Sequence, residues 1–198
     1  MIGFFPATTM PDAEWWQALW PDPEEVLIQM GVPPGTVTVD LCSGDGLFTL
    51  ALAGIAARLY AIDIDPIILD RARARAAAAG LTNCDFAVAD AMTVDAIVPE
   101  LVDYVLLANT FHGVADQVGL ARAVAAILKP SGQFGIINWH RRPREETTVL
   151  GQPRGPKTEM RMEPADIAAV VEPAGLVLNR TVELPPYHYG VVFRRRCA

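Results

Sequence analysis

A chain of 198 residues and 21.4 kDa holds one ordinary domain with at most a short appendage. Its 52% apolar and 20% charged residues supply a full core and exclude global disorder. With 16 basic against 23 acidic residues the net charge is −7, which argues against a phosphate-coating surface and so against a nucleic-acid partner.

The chain opens on MIGFFPATTM, which lacks the basic and long apolar regions of a signal peptide. Residues 1–34 carry Phe4, Phe5, Trp15, Trp16 and Trp20. Asp22, Pro23 and Glu25 form an N-cap, N1 and N3 set for a short helix that ends at Gly31. The segment reads as a helical cap, and 35–198 as the main domain. From there short apolar runs alternate with helical patterns, the signature of a parallel α/β sheet. Strands are expected at 36–42, 58–64, 84–90, 103–110 and 133–140, with helices near 46–57, 66–79, 94–99 and 115–129. The longest apolar run, LFTLALAGIAA at 47–57, stops at Arg58 and is too short to span a bilayer. Cys42, Cys84 and Cys197 make no Cys-x-x-Cys and no disulfide framework. A cytoplasmic protein with no membrane partner is expected.

A polar stretch with Pro and Gly runs from 141 to 159 and reads as a long loop. A helix at about 164–172 and two strands, 176–184 and 189–195, complete the chain. So short a connection makes those two strands antiparallel neighbours. The expected fold is a Rossmann-like, doubly wound sheet of seven strands, mostly parallel, with the last strand antiparallel.

The first strand ends in VDLCSGDG, and small residues there let a backbone approach a ligand at a helix N-terminus. The second ends in AIDIDP with Asp63, and the third in FAVADAM with Asp90. Ligands bind at the carboxyl edge of such sheets, so Asp40, Asp63 and Asp90 face one crevice. A dinucleotide fingerprint needs a third glycine after Gly44 and Gly46, and Thr49 stands there instead. Asp40 before the turn also suits a cationic group better than a pyrophosphate.

Over roughly 36–195 these motifs resemble a class I S-adenosylmethionine-dependent methyltransferase of the small-molecule, ubiquinone-biosynthesis-like type. The resemblance implies that Asp40, Cys42, Gly44 and Gly46 form the turn around the methionine part of the cofactor. It implies Asp63 on the ribose, Ile64 on the adenine, Asp90 on the adenine amino group with Ala91 and Met92 beside the ring, and Asn109 near the methionine end. One departure stands out. Cys42 replaces the first glycine of the family pattern, and it is strained if that position needs positive φ.

Topology places His112, His140 and His188 on the cofactor side of the sheet, accompanied by Trp139, Tyr187 and Tyr189. Three readings stay open: one histidine, with His112 or His140 preferred, acts as a base; the three bind a metal; or they are polar pocket residues. The site expected here is catalytic, drawn from these histidines, with no metal. Trp15, Trp16, Trp139 and Tyr187 are the expected substrate contacts, with Trp15, Trp16, Trp20, Glu14 and the loop 141–159 as a lid. Arg141, Arg142 and Arg144 read either as an anion clamp or as a solvated run paired with Glu145 and Glu146. The expected activity is methyl transfer from S-adenosylmethionine to a small molecule. Rivals are a catalytically silent cofactor-binding subunit, a protein or RNA methyltransferase, and a nicotinamide dehydrogenase. The acceptor atom is not legible, and a homo-oligomer is compatible with the chain.

Overall fold

In the computed structural model residues 12–196 are described; Phe4, Phe5 and Cys197 lie outside them. In chain order the elements are α1 (Ala13–Leu19), α2 (Pro23–Gln29), β1 (Val37–Leu41), α3 (Leu47–Ile55), β2 (Arg58–Asp63), α4 (Pro66–Ala78), β3 (Cys84–Val88), α5 (Val94–Ile97), β4 (Val102–Ala108), α6 (Gln117–Ile127), β5 (Leu128–Trp139), α7 (Pro164–Val171), β6 (Leu176–Leu184) and β7 (His188–Arg195).

The seven strands lie in the order β3-β2-β1-β4-β5-β7-β6. Pairing is parallel from β3 through β5. β7 alone is reversed and pairs antiparallel with both β5 and β6. The short connection at 185–187 forces the β6–β7 reversal, and β7 then fills the place between β5 and β6 rather than the rim. From β1 the chain runs outward to β3, then crosses back to β4. That switch point between β1 and β4 opens a crevice at the carboxyl ends of the strands.

Strand residues alternate between two cores. On one face Val39, Leu41, Val105, Leu107, Phe134 and Ile136 meet α5, α6 and α7. On the other, Tyr104, Leu106, Ile137 and Trp139 meet α1, α2 and α3. Asp22 caps α2 by accepting from the Glu25 N–H at 3.0 Å. Met30, just beyond α2, wedges onto the sheet where Gly190 has no side chain; a Cβ there would stand 2.1 Å from the Met30 sulfur. The Tyr104 hydroxyl donates to the Met30 carbonyl at 3.3 Å and fixes the same contact.

Three expectations shift. β5 begins at Leu128, not 133, because Leu128 pairs with Val102 ahead of a register shift in β4. The 141–159 stretch is a loop with internal order. Thr148–Val149 pairs with Gln152–Pro153 through Leu150 (φ 51°) and Gly151 (φ 73°). Arg161, 1% exposed, anchors that loop from beneath. Its guanidinium donates to the carbonyls of Arg142 (3.0 Å), Arg154 (3.2 Å) and Pro156 (3.2 Å) and to the Thr147 hydroxyl (2.9 Å), and lies 5.1 Å from the Trp139 ring centre. Arg141 is not paired with Glu145 or Glu146 as its position suggested; it bonds Asp166 of α7 at 2.6 Å. Among the described residues no helix is long and apolar enough to cross a membrane.

Candidate active site

The strand ends around the switch point open into a cavity of about 1100 Å³. Pockets for a single small ligand usually measure roughly 300–1,000 Å³, so a nucleoside-sized molecule leaves space here for a second one. A smaller, more open depression of about 450 Å³ lies at the amino edge of the sheet, beside Arg122, Gly175 and Arg195, and contains none of the expected site residues.

Asp40 is 2% exposed and lines the cavity floor. The Thr49 hydroxyl donates to its Oδ2 at 2.6 Å. Burial raises the Asp40 carboxyl to about 7, against the Thr49 bond and with the help of neighbouring Asp63. The turn that follows has Cys42 at φ 59°, Gly44 at φ 56° and Gly46 at φ 90°. Cys42 therefore does occupy the left-handed region, a strained place for a side chain. Burial pushes its thiol far up, and Asp63, Asp40 and Asp90 add to the effect, so no thiolate is offered.

Asp63 braces the same turn. Its Oδ2 accepts from the Gly44 N–H at 2.8 Å, and its Oδ1 from the Asp65 N–H at 2.9 Å. Asp90 caps the turn Ala91–Thr93 by accepting from the Met92 N–H at 2.9 Å. Each carboxylate keeps further lone pairs for a ligand. Ile64, Ala91, Met92 and Asn109 also line the cavity. Asn109 sits at φ 60°, and both polar atoms of its buried amide lack a partner. Gly46 does not line the cavity. A Cβ on it would stand 2.9 Å from the Ala72 Cβ, so its smallness lets α3 approach α4.

Of the three histidines only His112 lines the cavity. Its Nδ1 lies 3.0 Å from the Asn138 Oδ1, which also accepts from the Trp139 backbone N–H at 3.0 Å. The backbone donor marks that atom as the oxygen, so His112 carries its proton on Nδ1 and its basic nitrogen is Nε2. Burial, more than the Asn138 bond offsets, lowers the pKa of His112, so the ring is neutral at physiological pH. His140 and His188 lie elsewhere. His140 turns to Glu183 at 2.9 Å, with its ring 5.0 Å from Tyr189. His188, 1% exposed, is wedged between Trp139 (4.1 Å) and Trp20 (4.6 Å), and burial drives its pKa well below the usual value. Topology put all three at the right edge of the sheet but did not say which way each side chain turns. Among the described residues no group of three His, Cys, Asp or Glu could hold a metal ion.

Trp15, Trp16 and Trp139 line the far side of the cavity, with Phe48. Tyr187 does not: it stacks on Trp139 at 6.1 Å and donates to the Thr148 carbonyl at 2.8 Å. The loop contributes Arg144, Arg154, Gly155 and Pro156. Sequence reasoning read Thr49 only as the residue that breaks a dinucleotide fingerprint, and passed over Asn138 and Arg154. A lone amide in the apolar run FGIINW was the available signal for Asn138; Thr49 and Arg154 act on partners too far along the chain to be read.

Strand order with one reversed strand, and carboxylates at the ends of the first three strands, define the class I methyltransferase fold. The sequence profile of the methyltransferase domain matches residues 38–132. A SAM-dependent methyltransferase structure from Aquifex aeolicus superposes with a TM-score of 0.76 at 24% identity, over 92% of this chain and 93% of that one. A putative type 11 methyltransferase from Sulfolobus solfataricus gives 0.70 at 27% identity, over 89% and 94%. Ubiquinone biosynthesis O-methyltransferase of Xanthomonas euvesicatoria is 28% identical over 154 residues, 73% of this chain and 64% of that protein. The chain spans 39% to 65% of the length of curated relatives it matches. Residues 38–132 thus match a methyltransferase domain, on a fold shared with S-adenosylmethionine-dependent methyltransferases, whose cofactor is S-adenosylmethionine. The donor set fits the compound: Asp40, Asp63, Asp65, Asp90 and Asp116 line the cavity as acidic groups for a cationic, hydroxyl-bearing ligand, and Asn109, whose buried amide has no partner, lines it too.

Proposed function

We propose that the protein transfers the methyl group of S-adenosylmethionine to a small molecule held beneath Trp15, Trp16 and Trp139. The observation that carries this reading is one continuous cavity with carboxylates along the ends of β1, β2 and β3 and aromatic rings opposite. In it Asp63 takes the ribose hydroxyls, Asp90 with Ala91 and Met92 the adenine, and Ile64 packs on the base. Asp40, the Cys42–Gly46 turn and Asn109 surround the methionine end. When bound, the cofactor supplies an electrophilic methyl carbon on a cationic sulfur.

What the chain contributes is placement, the exclusion of water and a proton acceptor. Of the expected cap 1–34 on the domain 35–198, residues from 12 onward are described: Trp15 and Trp16 of α1 close the cavity on one side, and the 141–159 loop closes it on another. So covered a cavity favours a small acceptor over a protein or RNA chain, and a cytoplasmic site of action goes with that reading. His112 stands in the cavity as a neutral imidazole oriented by Asn138, and its Nε2 takes the proton from an incoming hydroxyl, thiol or amine.

The test is release of S-adenosylhomocysteine across a panel of phenols, thiols and amines. Turnover with at least one of them is expected. His112→Ala should slow that turnover about 10²-fold with cofactor affinity unchanged, while His140→Ala stays near wild type. Equal turnover in wild type and His112→Ala would remove the base assignment, and cofactor binding without turnover on any acceptor would favour a silent subunit.

A further inference from the structure

The cavity is charged in two halves. Its carboxylates crowd the ends of β1 to β4, whereas the opposite wall carries Arg144 and Arg154 among the aromatic rings. Asp12 is the one acidic residue lining that side with them. Among the described residues neither arginine is in an ion pair, whereas Arg141 is held by Asp166 and Arg75 by Asp45. Arg144 spends its Nε–H on the Gly155 carbonyl at 3.0 Å. The Arg154 Nε is shut off from water and has no acceptor at all. Its guanidinium carbon lies 5.2 Å from the Trp15 ring centre, and Trp15 is edge-on to Trp16 at 5.4 Å. Buried Arg161 lies behind the same loop, hydrogen-bonded to carbonyls and a hydroxyl, and adds further positive charge to that side.

The backbone fixes this arrangement before any ligand arrives. The Arg154 N–H donates to the Thr147 carbonyl at 2.8 Å, and its own carbonyl takes the Thr147 hydroxyl at 2.9 Å and the Arg161 guanidinium at 3.2 Å. A guanidinium so placed keeps its terminal N–H donors for a ligand, and a carboxylate matches that pair in geometry and charge. The rings beside it accept a flat apolar body. Carboxylates on the other half repel a second anion, so the acceptor's charged end has one place to go.

We propose that the acceptor is a planar aromatic carboxylate, its carboxylate gripped by Arg154 and its ring held by Trp15, Trp16 and Trp139. The proposal rests on the methyltransferase reading above and names the substrate class that reading leaves open.

The test uses the full chain saturated with S-adenosylhomocysteine and matched pairs of probes: benzoate and benzamide, 2-naphthoate and 2-naphthamide, indole-3-carboxylate and indole-3-carboxamide. By titration calorimetry at least one carboxylate should bind tenfold or more tightly than its amide. Arg154→Gln should erase that preference while leaving S-adenosylhomocysteine affinity as it was, and Arg154→Lys should keep part of it. If no carboxylate in the panel outbinds its amide, including the case where none binds, the proposal is overturned. It is overturned equally if Arg154→Gln keeps the preference. Failure of S-adenosylhomocysteine itself to bind instead defeats the cofactor reading, and the two failures are told apart by that first titration. The wild-type panel and Arg154→Lys keep the proposal testable if Arg154→Gln does not fold.

Discussion

Asp40 ends β1 as a carboxylate cut off from water, with one hydroxyl for company. Its folded pKa of about 7 stands above the ordinary 3.8. The contribution of the protonated acid to stability is thus complete below the ordinary value and lost as pH rises through about 7. A cationic ligand favours the ionised form, so binding expels a proton. S-Adenosylmethionine affinity should therefore climb by up to about tenfold between pH 6 and 8, and level off above. Asp40→Asn should flatten that rise, as read by calorimetry in buffers of different ionisation enthalpy. An unchanged slope in the variant would take Asp40 out of the electrostatics of binding. At this scale the sequence announces acids and glycines at strand ends, because their types and spacing are local. It does not announce Thr49 against Asp40, or Asn138 against His112, because those pairs are made by packing between elements. His188 shows the same limit: pairing with Trp139 at the end of β5 sets its height on the sheet, and the neighbouring Trp20 decides its burial.

Among the elements, the start of α3 carries the most constraint. Gly46 is its left-handed N-cap and the point where α4 comes nearest, through Ala72. Gly46→Ala should destabilise the fold by about 1–3 kcal/mol from backbone strain, with a further cost from the Ala72 contact, visible as a lower urea midpoint. A variant as stable as wild type would mean that the helix start relaxes freely. The Pro66–Ala78 helix was legible because its run is rich in strong helix formers, and it follows Asp65, whose carboxylate accepts from the Ile67 N–H at 2.8 Å. The loop between β5 and α7 was legible only as polar and long. What orders it is a single buried arginine, and a lone Arg161 in sequence gives no hint that carbonyls from four residues converge on it.

For the whole molecule, the sheet order places three carboxyl-bearing strand ends side by side, and α1 with the 141–159 loop completes the opposite wall. Whereas the order was implied only by the family resemblance, the strand directions were readable because every connection but one demanded a parallel crossover. The cavity's other half was not, since α1 and the loop reach it from opposite ends of the chain. Everything proposed about chemistry depends on the cofactor lying along β1, β2 and β3. Titration of S-adenosylmethionine into wild type and Asp63→Ala measures this most directly. Wild type should bind one equivalent, and the variant should bind at least about tenfold more weakly, the loss expected when charge-assisted bonds to a ligand disappear. Equal affinity for the two proteins, or no binding to wild type, would contradict the account.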